Sequence, residues 1–182
     1  RHDLGEVALT LKNLSVKSSN PFGTPLKDVS FDVRQGEVLG IGGVAGNGQD
    51  ELLGALSGEL LCVSDAVQLN GKPIGHLGPN QRRELGILAA PEERLGHAAA
   101  PDMSLVENAA LSAWVRMGMV KNGFIDWSMA RSFAEKVIAD YDVRTPGPVN
   151  AARSLSGGNL QKFVIGREIL QNPDILVVNQ PT

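Results

Sequence analysis

Residues 7–16 set Val7, Leu9 and Leu11 against Ala8, Thr10 and Lys12, the period of two expected of a half-exposed strand. The alternation returns over 26–33, and Arg34-Gln35-Gly36-Glu37 has the character of a turn. Residues 38–41 (Val-Leu-Gly-Ile) are continuously apolar, which predicts a short strand buried on both faces, as in a parallel sheet. A glycine-rich loop follows, and 51–56 reads as a helix. Residues 66–69 and 72–74 flank Asn70-Gly71, a hairpin signal, because Asn-Gly supplies the positive φ angles of a tight turn. A short helix over 80–85 and a buried strand over 86–90 come next.

The character changes after Met103. Ser104 with Glu107 three residues on has capping-box spacing. It predicts a helix lined by Leu105, Ala109, Leu111, Trp114 and Val115. A second helix over 126–140 buries Phe133, Val137 and Ile138, so Trp114 and Trp127 are expected in a helical core rather than stacked on a ligand. Gly157-Gly158 opens a third helix, which ends by Asn172-Pro173, and 175–178 is a last buried strand. No internal repeat or low-complexity segment interrupts the order.

Composition narrows the function classes. With 182 residues there is enough chain for one domain with a real core, and a net charge of −3 gives no electrostatic case for nucleic acid or an anionic membrane. Arg82-Arg83 reads as a solvated helix face. Cys62 is the only cysteine, so no internal disulfide or cysteine-based metal site can form, and a small apolar core residue is expected there. No apolar run reaches the roughly 18 residues of a membrane span, and the first residues lack the apolar stretch of a signal peptide. A cytoplasmic location is therefore expected. The chain starts without Met and stops just after a predicted strand, the pattern of a piece cut from a longer protein.

Three motifs carry the chemistry. Gly43, Gly46 and Gly48 lie in Gly-Val-Ala-Gly-Asn-Gly-Gln-Asp, between a predicted strand and a predicted helix. Glycines there let backbone amides converge on phosphate oxygens at a helix N-terminus, with Asn47, Gln49, Asp50 and Glu51 completing the loop. Gln49 stands where a Lys would reach the phosphates, and a charge-assisted hydrogen bond of about 1.5–3 kcal/mol goes with it. Asp50 stands where a hydroxyl would ligate Mg²⁺; it suits the helix dipole, can repel a triphosphate, or can itself ligate the metal. At the end of the last strand, Asn179 and Gln180 replace the carboxylates that would hold Mg²⁺ and activate water. The loop becomes more negative where phosphate sits, and the base disappears. Between them, Leu155-Ser156-Gly157-Gly158-Asn159 offers a hydroxyl and open amides at a helix start. That second anion-binding surface has no lysine or metal ligand of its own.

Together these motifs resemble the ATP-binding cassette (ABC) superfamily: a degenerate Walker A, an LSGGQ-like signature at 155–159 and a degenerate Walker B at 175–180. With Pro91-Glu92-Glu93-Arg94 ahead of residues 103–108, the chain is similar to the second cassette of sugar-type tandem ATPases. Its loop and Val178-Asn-Gln-Pro-Thr182 are similar to the branch associated with nucleoside import and basic-membrane-lipoprotein receptors.

The resemblance implies an α/β fold: a P-loop NTPase (RecA-like) parallel sheet core, an N-terminal antiparallel β subdomain and a helical subdomain. The expected division is 1–95, 96–154 and 155–182, the last holding the signature helix and Walker B strand. It also implies ATP and Mg, held weakly or not at all at this cassette's own site, and Glu92 at the Q-loop position. Implied partners are a second cassette, whose ATP site Ser156, Gly157 and Gly158 would complete, membrane permease subunits and a substrate-binding lipoprotein. The implied function is import of nucleosides or sugars at the cytoplasmic membrane face. An active ATPase using Asp50 as metal ligand and a non-transport cassette are the alternatives. No aromatic for stacking on adenine stands at 16–19; Phe22 is the nearest.

Overall fold

The computed structural model describes residues 4–18, 21–44, 46–91 and 95–179, and its contacts divide into two compact units, Arg1–Ile87 and Leu88–Thr182. Glu92 and Gln180, both expected site positions, lie outside the described residues. Among the described residues, no helix is long and apolar enough to cross a membrane.

The first unit is built on an antiparallel sheet. Strand β1 (Val7–Val16) pairs with β2 (Leu26–Arg34) and with β3 (Val67–Leu69), and β3 turns back into β4 (Lys72–Pro73), giving the order β2-β1-β3-β4. Leu9, Leu11 and Leu14 of β1 are buried, which is what a central strand with one apolar face requires. The β3–β4 turn has Asn70 at φ 48° and Gly71 at φ 77°, the paired positive angles that Asn-Gly predicts. Helix α1 (Gln49–Ser57) and helix α2 (Pro79–Leu85) complete this unit.

Two expectations fail here. Residues 38–41 form no strand, and Val38 is 96% exposed. A strand exists through the ladder it shares, and among the described residues none pairs with this run. Arg82 is not solvated either: its side chain is fully buried, and Arg83 beside it is half-buried. The Arg82 guanidinium donates to the carbonyls of Leu77 (2.9 Å), Leu56 (3.1 Å), Gly75 (3.0 Å) and Ala55. It thereby ties the C-terminal end of α1 to the loop before α2, where those carbonyls lack helical partners. Burial lowers the Arg82 pKa, and Cys62 nearby acts in the opposite direction. Cys62 itself is only half-buried, its Sγ 3.6 Å from the Gly75 carbonyl.

The second unit carries most of the helices. Strand β5 (Ile87–Ala90), at its start, pairs with β8 (Ile175–Val178), and a small hairpin joins β6 (Val120–Lys121) to β7 (Phe124–Ile125). Helices α3 (Leu105–Ala113), α4 (Trp127–Asp140) and α5 (Gly157–Ile169) pack around one core. Its facing residues are largely alanines (Ala109, Ala110, Ala113, Ala130, Ala134) with Phe133, Val137 and Phe163 between them. Small side chains at a helix contact let the axes approach closely. Ile138 packs against this core from its margin.

The capping box forms as its spacing predicts. Ser104 N–H donates to Glu107 Oε2 (2.7 Å), and Glu107 N–H donates to Ser104 Oγ (3.1 Å). Trp114, Trp127 and Leu111, however, are 42%, 52% and 56% exposed. Leu111 lies two positions from Ala109, about 200° around the helix, so the two cannot share a face. Trp114 follows the last turn of α3 and Trp127 begins α4, so both lie at helix ends. In their place the core holds a buried polar cluster. Arg167 pairs with Glu168 at 2.6 Å and reaches the Ala98 and Asn108 carbonyls, and Ser112 of α3 donates to Glu168 (2.8 Å).

Candidate functional site

The glycine loop sits at the head of α1. Gly48, the N-cap, has φ 99°, and Gly46 has φ 86°, conformations that side chains rarely adopt. The loop is closed by its own glutamine. Gln49 Nε2 donates to the Val44 carbonyl (2.9 Å), and Gln49 Oε1 accepts from Asn47 N–H (3.0 Å). A Cβ at Gly43 would come within 2.7 Å of Gln49 Nε2. Thr24 Oγ1 adds a bond to the Gly46 carbonyl (2.7 Å). Glu51, buried in the first turn of α1, accepts from Ser18 Oγ (2.5 Å), and Asp50 beside it is exposed. Phe22 is 95% exposed.

The test of this loop as a Mg-ATP cradle is therefore a matter of donors. An anion there needs convergent N–H groups, yet Asn47 N–H is already spent on a side-chain carbonyl and no ammonium is supplied. Among the described residues, no group of three or more His, Cys, Asp or Glu side chains is placed to hold a metal. At the head of α1, Gln49 and Asp50 supply a neutral amide and an exposed carboxylate. Asn179, another expected site residue, continues β8 by one bond, its N–H donating to the Ala90 carbonyl (3.0 Å).

The segment 155–159 is organised differently. Ser156 is the N-cap of α5, and Ser156, Gly157 and Gly158 are all exposed while Leu155 and Asn159 are half-buried. A Cβ at Gly158 would meet no atom within 4 Å, and its φ is not positive. Nothing inside the described chain requires glycine at that position. A shallow depression of about 640 Å³ opens beside it, lined by Tyr141, Arg144, Ser156, Gly158, Asn159, Gln161, Lys162 and Ile165. Two of its side chains are cationic, and Lys162 also reaches the carbonyl (3.0 Å) and the carboxylate (3.4 Å) of Asp142. With the helix N-terminus it makes a surface suited to an anion brought from outside.

Tyr141 fixes this wall. Its ring lies against Gly166 of α5, where an added Cβ would come within 2.5 Å of the ring. That contact brings the 141–144 turn alongside α5, so that Arg144 N–H reaches Asn159 Oδ1 at 2.9 Å. Sequence reading named Ser156, Gly158 and Asn159 here, and Lys162 within the stretch that follows them, but not Arg144 or Tyr141. Arg144 had no motif to mark it, and Tyr141 is visible only as a ring packed on a glycine.

The sequence profile of the ABC transporter family matches residues 26–182. The chain belongs to that family. Its fold is that of the P-loop ATPase cassettes: the ATP-binding cassette MJ0796, solved as a dimer in a post-hydrolysis state bound to ADP and Pi, superposes with a TM-score of 0.75 at 20% identity, over 96% of this chain and 74% of that one. Among curated relatives, the nucleoside import ATP-binding protein NupA of Lactococcus lactis is 39% identical over 177 residues, covering 97% of this cassette. The guanosine import ATP-binding protein NupO of Bacillus subtilis is 39% identical over 178 residues, covering 98% of it. A xylose import ATP-binding protein of Burkholderia ambifaria is 34% identical over 183 residues, covering all of it. In each case the match takes up 35% of the relative, so this cassette spans about a third of their length.

Proposed function

We propose that this cassette is the second, catalytically degenerate nucleotide-binding domain of a tandem importer ATPase for nucleosides or sugars. Its own loop binds Mg-ATP weakly or not at all. Its Ser156-Gly157-Gly158 segment completes the ATP site of a partner cassette, which does the hydrolysis. The names of the relatives support the transport class, and their length supports a tandem arrangement. In this reading 1–95 holds the β subdomain and loop, 96–154 the helical subdomain, and 155–182 the signature helix and last strand. The assembly sits on the cytoplasmic membrane face with permease subunits and a substrate-binding lipoprotein.

The observation that carries the reading is Gln49. Its amide bonds on both sides to the loop that would otherwise cradle phosphate, while the 155–159 surface stays open. An ATP concentration that saturates an ordinary cassette would have to displace those bonds with no lysine in return.

The test is ATP turnover by the full-length protein with its membrane subunits. Ser156→Arg, which puts a long side chain into the open helix start, abolishes turnover in this reading, whereas Asp50→Ala leaves most of it. Loss of turnover on Asp50→Ala, with Ser156→Arg silent, reverses the roles and makes Asp50 a metal ligand of an active site.

A further inference from the structure

Asn159 makes two side-chain bonds, and together they decide where a third hydrogen points. Its Oδ1 accepts from the backbone N–H of Arg144 (2.9 Å). A backbone N–H can only donate, so the amide oxygen must face Arg144 and the amide nitrogen must face the other way. That nitrogen donates to Ser156 Oγ at 2.9 Å, and Asn159 N–H approaches the same oxygen at 3.4 Å. Ser156 Oγ thus has its acceptor positions engaged from within the chain. Its own hydroxyl hydrogen is left to donate outward, at an exposed helix N-terminus beside Gly158, where a Cβ would meet nothing.

We infer that Asn159 is a positioning residue that sets Ser156 as an obligate hydrogen-bond donor to a phosphate oxygen presented from outside the chain. The inference rests on the reading of 155–159 as the surface that faces a partner's ATP. A serine with free acceptor positions would divide its orientations between donating and accepting; the relay from Arg144 N–H through the Asn159 amide removes that choice. The same relay ties the order of the 141–144 turn to the polarity of the serine. The role differs from capping, since the cap needs only an oxygen at 156.

Asn159→Asp separates the two functions. A carboxylate still accepts from Arg144 N–H, so the turn stays tethered, but it presents an acceptor to Ser156 and draws the hydroxyl hydrogen inward. The measurement is the Kd of a non-hydrolysable ATP analogue for the full-length protein with its membrane subunits, for Ser156→Ala, Asn159→Asp and the double variant. Thermal midpoints are recorded alongside. Ser156→Ala weakens analogue binding about tenfold, the scale of one hydrogen bond to a charged group. Asn159→Asp weakens it by a similar factor with the thermal midpoint unchanged, and in the Ser156→Ala background its effect shrinks below about twofold. An equal effect in both backgrounds would mean that the added charge acts directly, and it overturns the inference alone. No effect of Asn159→Asp overturns it in the same way. If Ser156→Ala is itself silent, the partner-facing reading fails and takes the inference with it.

Discussion

At position 158 the fold would accept a side chain, and that is the residue's significance. Glycine in a helix is disfavoured relative to alanine, and no neighbour crowds the space a Cβ would take. Gly158→Ala is therefore expected to stabilise α5 by about 0.5 kcal/mol, read as a small rise in the urea midpoint. In the proposed arrangement it should also cut ATP turnover of the full-length protein at least about tenfold, because the methyl group would stand in the path of the partner's phosphate. A destabilised variant, or one with unchanged turnover, would contradict that account. Gly166 makes the contrast. It looks equally bare in the sequence, yet its missing side chain is filled by the Tyr141 ring. Arg82 shows the same limit of a linear reading, since a basic pair before a glycine looks solvated until four carbonyls converge on one member of it.

Among the elements, α3 shows how a local signal and a tertiary one combine. Ser104 and Glu107 satisfy each other's backbone N–H groups, so the start of the helix was readable from spacing alone. Hydrogen bonds from Ser104, first its N–H and then its hydroxyl, hold the Glu107 carboxyl below its ordinary pKa. A depressed folded-state pKa means stabilisation that is complete above the unfolded value and is lost as pH falls through the folded one. Glu107→Gln keeps an acceptor but not the charge. Hydrogen-exchange protection of the first-turn amides of α3 should therefore be lower in the variant at pH 7. The two proteins should converge as the pH drops below the Glu107 pKa. A difference that persists in acid would mean the charge is not what the cap uses. Which face of α3 is buried was less legible. The apolar residues Leu111 and Trp114 suggested one stripe, but alanines opposite α4 and α5 define the real one, with Ser112 and Asn108 joined to Arg167 and Glu168 of α5.

For the whole molecule, the proposed function implies unequal nucleotide sites, with a loop closed by Gln49 and an open 155–159 surface. Equilibrium dialysis of the full-length protein with a non-hydrolysable ATP analogue should find a single class of tight site, at about one equivalent per polypeptide, because the Gln49 loop lacks the charge-assisted bond worth roughly a factor of ten or more in affinity. Two tight sites of equal affinity would contradict the degenerate assignment. The order of motifs, the glycine spacings, the Asn-Gly hairpin and the helix caps were all determined by the sequence itself, because each depends on φ angles and hydrogen bonds within a few residues. Family membership was legible for the same reason. Tertiary structure alone decided the rest: that 38–41 finds no ladder, that Arg82 is buried and Trp114 is not, and that Arg144 N–H meets the Asn159 side chain. Each of these depends on what a side chain meets from a distant segment, and apolar periodicity carries no information about that.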